Sequence, residues 1–183
     1  MSKNIQDDIL EVLITNDQIM EKIKELGEMI NKDYINKDTV LVSILKGSVV
    51  FLSDLLKIIK IPCSIDFIAV SSYGGNTESS GVVKLIMDLR ESIQEKDVLL
   101  VEDIVDTGIT MEYLKENLLT RHPKSFKICS LLSKVKEKKI DIDIDYVGFE
   151  IPDKFVVGYG LDYDELYRNL PYIGTLKPEI YRK

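Results

Sequence analysis

The sequence has little of what disulfide frameworks, zinc sites and histidine-based catalysis require. It contains two cysteines, one histidine and no tryptophan. Cys63 and Cys129 lie inside apolar stretches without metal-ligand spacing, so we expect buried free thiols rather than a disulfide or a zinc site. The histidine, His122, lies in a turn-like stretch before Pro123, where a solvated or helix-capping role is favoured over catalysis.

Long hydrophobic runs and clustered positive charge are also missing. No run of about 18 uninterrupted apolar residues occurs, and the first eight residues lack the apolar core of a signal peptide. We therefore expect a cytoplasmic protein without a membrane partner. The 24 Lys and Arg residues are outnumbered by 31 Asp and Glu residues. Because nucleic acids require a clustered positive surface, and the basic run at 134–139 reads as a solvated loop apart from Lys134, no nucleic-acid partner is expected.

What remains is the composition of an ordinary globular protein. Apolar residues make up 45% of the 183 residues, and no repeat or change of composition divides the chain, so residues 1–183 are predicted to form one domain. Apolar residues at helical spacing predict an early helix that begins at Asn16 as its N-cap. The residues of this apolar stripe are Ile19, Ile23, Leu26 and Ile30.

Strands and helices alternate along the middle of the chain, which predicts βαβ units. The fold class is therefore α/β, with a mainly parallel central sheet flanked by helices and ligands beyond the carboxyl ends of its strands. After Ile140, two short apolar segments at 146–150 and 155–159 predict a small irregular cap over that edge. The predicted strands are 39–45, 65–70, 82–87, a strand beginning at 97–101, and 126–132, and the predicted helices after the turns cover 49–56 and 111–118.

The most informative stretch is 98–110, where an apolar run ends in Glu102 and Asp103. A third carboxylate follows at Asp106, and a small, hydroxyl-rich turn then opens a helix, whose N-terminus favours an anion such as a phosphate. Ionised Asp106 could accept a proton from a weakly acidic ring nitrogen. These residue types suit a site that holds a metal-bound polyphosphate and also takes up a proton.

Local sequence leaves a structural role open for each of these residues. Asp106 could instead cap the helix. Glu102 and Asp103 diverge if the strand continues, so at least one of them should face a ligand, either ribose hydroxyls or magnesium through water. Lys46 and Gly47 occupy the equivalent turn after another strand, where glycine lets backbone N–H groups approach a diphosphate and lysine supplies countercharge.

Four motifs resemble one known family, the type I phosphoribosyltransferases, and within it the hypoxanthine-guanine branch of bacterial type. Residues 101–110 resemble the family's loop for phosphoribosyl pyrophosphate (PRPP), and residues 147–163 resemble the base-binding segment of the 6-oxopurine enzymes. Residues 45–47 and 71–74 match as well, in the right order, and the resemblance covers about 39–168. It implies the type I phosphoribosyltransferase fold, with a core at about 36–140, a hood formed by about 1–15 and 141–183, and a mobile lid at about 71–81.

The resemblance implies a purine salvage enzyme with Mg²⁺ as cofactor. Such an enzyme transfers the 5-phosphoribosyl group of PRPP to hypoxanthine or guanine and releases pyrophosphate. Asp106 would accept or share the purine proton. Glu102 and Asp103 would hold the ribose hydroxyls directly or through magnesium and water. The 5-phosphate would be held by Thr107, Gly108 and Thr110 together with the backbone of Asp106 and Ile109.

The remaining roles also come from the resemblance. Lys134 would donate to the purine 6-oxo group, which penalises adenine. Phe155 would stack on the base and Val156 would read its edge through backbone groups. Asp162 would act on a second magnesium, with Glu102 and Asp103 as the other metal residues. The pyrophosphate residues would be Lys46, Gly47 and Arg168, with a cis Leu45–Lys46 peptide bond, and the lid residues Ser72 and Tyr73, whose closure would exclude water.

Several points stay open at this level. Ile109 stands where some relatives carry lysine, and Arg90 where bacterial relatives more often carry an acidic residue. The preference among hypoxanthine, guanine and xanthine is undecided, as is the choice between a dimer and a tetramer for the expected homo-oligomer. Two other classes share features with this sequence: a ligand-sensing RNA-binding regulator on the same fold, which the acidic balance disfavours, and a receiver domain, whose order of acidic residues this chain lacks.

Overall fold

The protein is described here by a computed structural model in which residues 4–72, 83–135, 140 and 142–181 are defined. Most of the predicted lid, Tyr73 included, and residues 136–139 of the basic run lie outside these residues. A short 3-10 turn, Ile5–Asp8, precedes the first strand. The elements that follow are β1 (Ile9–Ile14), α1 (Asn16–Asp33), β2 (Thr39–Leu45), α2 (Val49–Ile58), β3 (Cys63–Ser72), β4 (Val83–Met87), β5 (Asp97–Val105), α3 (Ile109–Leu119), β6 (Ser125–Lys134), β7 (Tyr146–Ile151), β8 (Val156–Val157), β9 (Ile173–Leu176) and α4 (Pro178–Tyr181).

The central sheet has six strands in the order β4-β3-β2-β5-β6-β7. Neighbouring strands are parallel from β3 to β7, and β4 pairs antiparallel with β3. The mainly parallel α/β sheet predicted from the sequence is thus confirmed. Its topology brings the carboxyl ends of β2, β5 and β6 together at one edge, which is where the candidate side chains begin.

The apolar run of β5 contributes to the core on both faces of this sheet. Leu99 and Val101 pack in one cluster with residues of α1 and α2, whereas Val98 and Leu100 pack in a second cluster with α3. Successive strand residues point to opposite faces, so a continuous apolar run is what a strand covered on both sides requires. This burial fixes β5 in the middle of the sheet, with its polar end at the sheet's edge.

The N-caps of α1 and α3 are not the residues that the sequence analysis considered for them. The four predicted core residues of α1 are buried, but the N-cap is Thr15 rather than Asn16, since Thr15 forms a capping box with Gln18. The Asn16 amide instead donates to the Pro171 carbonyl at 2.9 Å. The N-cap of α3 is Gly108, and no described side chain caps this helix, so the structure does not give Asp106 the capping role.

A second sheet, of order β1-β9-β8, is antiparallel and joins the two ends of the described chain. Its strand β8 lies in the segment 155–159 that was expected to form a cap. The segment 146–150 does not belong to this sheet: it forms most of β7, the edge strand of the central sheet, so its assignment to the hood was wrong. The parallel pairing of β7 with β6 places the chain that follows β7 beside the end of β6.

The structure agrees with the sequence prediction for Cys129 and His122, and for Cys63 only in part, because this thiol is not fully buried. Among the described residues both cysteines are free; Cys129 is buried and Cys63 is half-buried. His122 is exposed, and its backbone N–H donates to the Leu119 carbonyl in the turn after α3. In the described part of the chain, no helix is long and apolar enough to cross a membrane.

Candidate active site

Two adjoining cavities lie at the carboxyl edge of the central sheet. The larger, about 250 Å³, is shared between the ends of β5 and β6 and the second sheet, and the smaller, about 80 Å³, lies at the N-terminus of α3. Ten predicted site residues line at least one of them, together with residues that the sequence analysis had not singled out. The ten are Glu102, Asp103, Asp106, Thr107, Gly108, Thr110, Lys134, Phe155, Val156 and Asp162.

Glu102 and Asp103 diverge because β5 continues to Val105. Asp103 lines the larger cavity and Glu102 the smaller one, and both side chains are buried. Burial raises the pKa of Asp103 to about 6. Burial, with the neighbouring Asp103 charge, raises the pKa of Glu102 well above its usual range. Two buried carboxylates whose ionised forms are disfavoured can be stabilised by a cation bound beside them.

The turn after β2 lies directly against Asp103. A Cβ atom placed on Gly47 would lie 1.7 Å from the Asp103 Oδ2, so only glycine allows this approach. The Leu45–Lys46 peptide bond is cis, as predicted. The predicted diphosphate turn and the predicted metal carboxylate are therefore adjacent in space, although 56 positions separate them in the chain.

The smaller cavity is formed by the turn that begins α3. Gly108 adopts a φ of 85° and, with Thr107 and Thr110, lines the cavity. The first N–H groups of a helix carry a partial positive charge and bind anions. Ile109, whose backbone was expected to contribute, is the first residue of α3 and is not among the described residues that line this cavity.

Lys134 ends β6 with its ammonium group between two carboxylates. Its Nζ lies 3.1 Å from Asp106 Oδ2 and 3.0 Å from Asp153 Oδ1, and only 10% of the side chain is exposed. Burial by itself lowers the pKa of Lys134, but the hydrogen bonds to Asp153 and Asp106 outweigh burial and raise it. The other oxygen of Asp106, Oδ1, is buried and accepts no hydrogen bond from the described residues. The site thus presents a fixed cation beside an acceptor oxygen with unused capacity.

Phe155 forms an apolar wall at the mouth of the larger cavity. The residue is 47% exposed, and the centroid of its ring lies 5.6 Å from that of Tyr163, which is edge-on, and 5.9 Å from that of Tyr181, which is stacked. Val156 follows within β8 and is buried. An exposed ring held by two aromatic neighbours offers a planar ligand a stacking surface.

The segment after β8 carries Asp162, Glu165 and Arg168 close to Lys46. Arg168 pairs with Asp162 at 2.8 Å and donates to the Gly160 carbonyl at 2.8 Å. Glu165 lies 2.8 Å from the Lys46 ammonium and 3.6 Å from the Arg168 guanidinium, so it bridges the two cations predicted to bind pyrophosphate. Glu165 and Asp153 were missed by the sequence analysis, because nothing local marks either as the partner of a distant cation.

The metal residues do not form a closed metal site. In the part of the chain that the structure describes, no three Asp, Glu, His or Cys side chains converge closely enough to hold an ion. Asp103 and Asp162 nevertheless line the same cavity. Magnesium commonly keeps several waters and binds through one or two carboxylates and substrate phosphates, and this donor set fits that mode.

The fold and the site define a phosphoribosyl-transferring protein. A profile of the phosphoribosyl transferase domain matches residues 12–164, and the chain belongs to this family. The receiver-domain alternative is therefore wrong.

Two relatives and one solved structure make the assignment more specific. The chain is 55% identical over 177 residues to the hypoxanthine-guanine phosphoribosyltransferase of Staphylococcus aureus, covering 97% of this chain and 99% of the relative. It is 50% identical over 182 residues to the enzyme of the same name from Mycobacterium avium, covering 96% of this chain and 90% of that one. The crystal structure of a hypoxanthine phosphoribosyltransferase from S. aureus matches with a TM-score of 0.95 and 54% identity over 100% of both chains.

Proposed function

We propose that the protein is a magnesium-dependent hypoxanthine (guanine) phosphoribosyltransferase of purine salvage. It transfers the 5-phosphoribosyl group of PRPP to hypoxanthine, guanine or both, giving IMP or GMP and pyrophosphate. The observation that carries this proposal is the pairing of Lys134 with Asp106 in a cavity walled by Phe155, with an Asp106 oxygen left to accept a proton. One cation that donates and one carboxylate that accepts are what a 6-oxopurine with an ionisable ring N–H requires.

The base-binding part of the mechanism follows from these contacts. A purine stacked on Phe155 would present its oxo group to the Lys134 ammonium and its ring N–H to Asp106. The ammonium group can donate hydrogen bonds but cannot accept one, so the 6-amino group of adenine would leave a buried donor unpaired. Asp106 would take up the ring proton as the nitrogen bonds to the sugar.

The phosphate-binding part uses two separate places. The small cavity at the start of α3 would hold the 5-phosphate through backbone N–H groups and the hydroxyls of Thr107 and Thr110. Lys46, Gly47 and Arg168 would hold the pyrophosphate on the other side of the sugar. Fixing the two ends of PRPP in this way places the anomeric carbon beside the base, so that the reaction gains from positioning.

Magnesium would be held by Asp103 and Asp162, with Glu102 acting on the ribose side. A magnesium ion bound there would supply positive charge against the charge that develops on the departing pyrophosphate. Its binding would favour the ionised form of Asp103, since a nearby cation lowers the pKa that burial has raised. A cytoplasmic location and assembly into a dimer or tetramer are part of the same proposal and rest on the family resemblance.

The test is ultraviolet-monitored nucleotide formation from PRPP and magnesium with hypoxanthine, guanine, xanthine and adenine in turn. We expect turnover of hypoxanthine or guanine, and in Asp106→Asn a decrease in kcat of about 10²-fold or more, because asparagine cannot take up the proton. Asp38→Asn is the matched control, since Asp38 is exposed at the opposite end of the sheet. Absence of product with every base would overturn the proposal in favour of the ligand-sensing regulator.

A further inference from the structure

The Lys134 ammonium is held from two sides by elements that the sequence keeps apart. Asp106 follows β5, Lys134 ends β6, and Asp153 follows β7, so three adjacent parallel strands each contribute one charged group. The register pairs Lys134 with Ile151, which brings the residue two positions further on to the same edge. The two N–O distances, 3.1 Å to Asp106 and 3.0 Å to Asp153, both lie in the normal range for a hydrogen bond. Asp153 therefore engages the cation as closely as Asp106 does.

The two carboxylates have different tasks once a purine is bound. An ammonium group has three N–H donors, so with two directed at Asp106 and Asp153 the third remains for a ligand. Asp106 loses its negative charge in the proposed reaction when it takes up the purine proton. A lysine that is 10% exposed would then be a buried cation without compensation unless another carboxylate stays in place.

Among the groups around Lys134, Asp153 is the carboxylate that can compensate the ammonium charge after Asp106 has taken up the purine proton. The other charged groups lining the larger cavity are Asp103, Asp162 and Lys154. Asp162 is paired with Arg168, and Lys154 is a further cation, paired with Glu11 at 2.6 Å. Burial disfavours the charged form of Asp103 and so raises its pKa. Asp153, which is not one of these lining groups, is in direct contact with the ammonium and lies outside the residues to which the reaction assigns a proton or a metal.

We propose that Asp153 is a positioning residue that holds the Lys134 ammonium towards the purine 6-oxo group while Asp106 is released to take up the purine proton. The inference rests on the proposed function and deepens it. In the step concerned, a purine ring nitrogen forms the bond to the anomeric carbon, the bond from that carbon to the pyrophosphate oxygen breaks with its electron pair on the oxygen, and the ring proton passes to Asp106. Asp153 takes no part in bond making; it keeps Lys134 charged and in place.

The first experiment measures steady-state kinetics of Asp153→Asn with hypoxanthine and PRPP varied separately. We expect kcat/KM for hypoxanthine to fall by about 10-fold, the lower end of the range for losing a hydrogen bond to a charged group, because the Asp153 side chain is 44% exposed, with KM for PRPP changed less than about twofold. Glu150→Gln is the control, because it removes an exposed carboxylate from the preceding strand β7. Asp153→Glu, which keeps the carboxylate, should recover part of the activity.

A double-mutant cycle with Lys134→Met separates positioning from a general structural role. If Asp153 acts through Lys134, adding Asp153→Asn to Lys134→Met should change kcat/KM by less than about twofold. An equal decrease in both backgrounds, or a rise in the PRPP KM that matches the loss for hypoxanthine, would overturn the inference. Full activity of Asp153→Asn would overturn it too, while a wild-type protein that forms no nucleotide would instead reject the proposed function.

Discussion

Burial determines the charge state of the two acids at the end of β5. Glu102 and Asp103 lie on a central strand, in a region where apolar residues dominate. Among the described residues, none donates a hydrogen bond to Glu102 Oε2. Removing a carboxylate from water disfavours its ionised form, so the protein stores an unfavourable interaction at this position. The same interaction becomes favourable when a divalent cation supplies the missing charge.

We predict that Asp103 makes the stability of the protein pH-dependent when magnesium is chelated. Its pKa is about 6 in the folded protein and about 3.9 in an unfolded chain, so between these values the folded state binds more protons. The free energy of unfolding should therefore fall as the pH rises from about 4 to about 6. Asp103→Asn should reduce this slope, leaving the part due to Glu102, whose pKa is also raised, and should be more stable than wild type above pH 6 by about 2 kcal/mol.

Urea unfolding in EDTA at several pH values measures this slope. Asp38→Asn, an exposed acid at the opposite edge of the sheet, should retain the wild-type slope. A wild-type slope in Asp103→Asn would show that Asp103 is not the titrating group.

At the scale of elements, the segment between β8 and β9 carries an unusual concentration of positive φ angles. Asp164, Glu165 and Tyr167 have φ values of 53°, 62° and 74°, a conformation that side chains other than glycine, asparagine and aspartate disfavour. The segment is also held by hydrogen bonds, including one from the Glu165 N–H to the Asp162 carboxylate at 2.9 Å. This backbone places the Glu165 carboxylate between Lys46 and Arg168, where the pyrophosphate of PRPP is proposed to bind.

Glu165→Gln is therefore predicted to strengthen binding of pyrophosphate and of PRPP. Because the Lys46–Glu165 pair is exposed and such pairs are weak, the expected gain is about twofold to fivefold in Kd for pyrophosphate. Isothermal titration calorimetry with magnesium pyrophosphate measures this gain. Asp164→Asn removes an equal charge from the preceding position, which is exposed and outside the pair, and should leave Kd unchanged. Weaker binding in Glu165→Gln would contradict the prediction.

Most helices and strands could be predicted from the sequence, whereas the side-chain contacts between distant segments could not. Apolar periodicity located β2, α2, β3, β5, α3 and β6, because burial on both faces of a parallel sheet leaves continuous apolar runs. It failed at β7, where Pro152 and Gly160 follow nearby and made an edge strand of the central sheet resemble an irregular cap. The motif at 101–110 identified the cavity residues, but the contacts of Asp153 and Glu165 depend on strands and loops that meet only after folding.

At the scale of the whole molecule, the two ends of the described chain support the site. β1 pairs with β9, and the Tyr167 hydroxyl donates to Asp8 at 2.8 Å across 159 positions of sequence. Tyr167 precedes Arg168, so this buried contact anchors the segment that carries a proposed pyrophosphate residue. Burial and the bond to Asp8 raise the pKa of Tyr167 to about 12, so the hydroxyl keeps its proton at neutral pH.

Tyr167→Phe is predicted to lower stability and weaken PRPP binding together. Loss of a buried hydrogen bond to a carboxylate should reduce the free energy of unfolding by about 2 kcal/mol, measured by urea denaturation. KM for PRPP should rise, because Arg168 loses its adjacent anchor, while KM for hypoxanthine should change less. Tyr172→Phe removes a hydroxyl from the same segment as a control, and equal effects of the two variants would contradict the role assigned to Tyr167.

The two tyrosines beside Phe155 allow binding at this site to be followed by the protein's own tyrosine fluorescence. Tyrosine emission is usually masked by tryptophan, but this chain has none, and two of its nine tyrosines, Tyr163 and Tyr181, lie within 6 Å of the Phe155 ring. A base that stacks on Phe155 changes the surroundings of both rings. Occupancy of the site can thus be followed by intrinsic fluorescence, without a label or a coupled reaction, and Tyr163→Phe and Tyr181→Phe would show which ring responds.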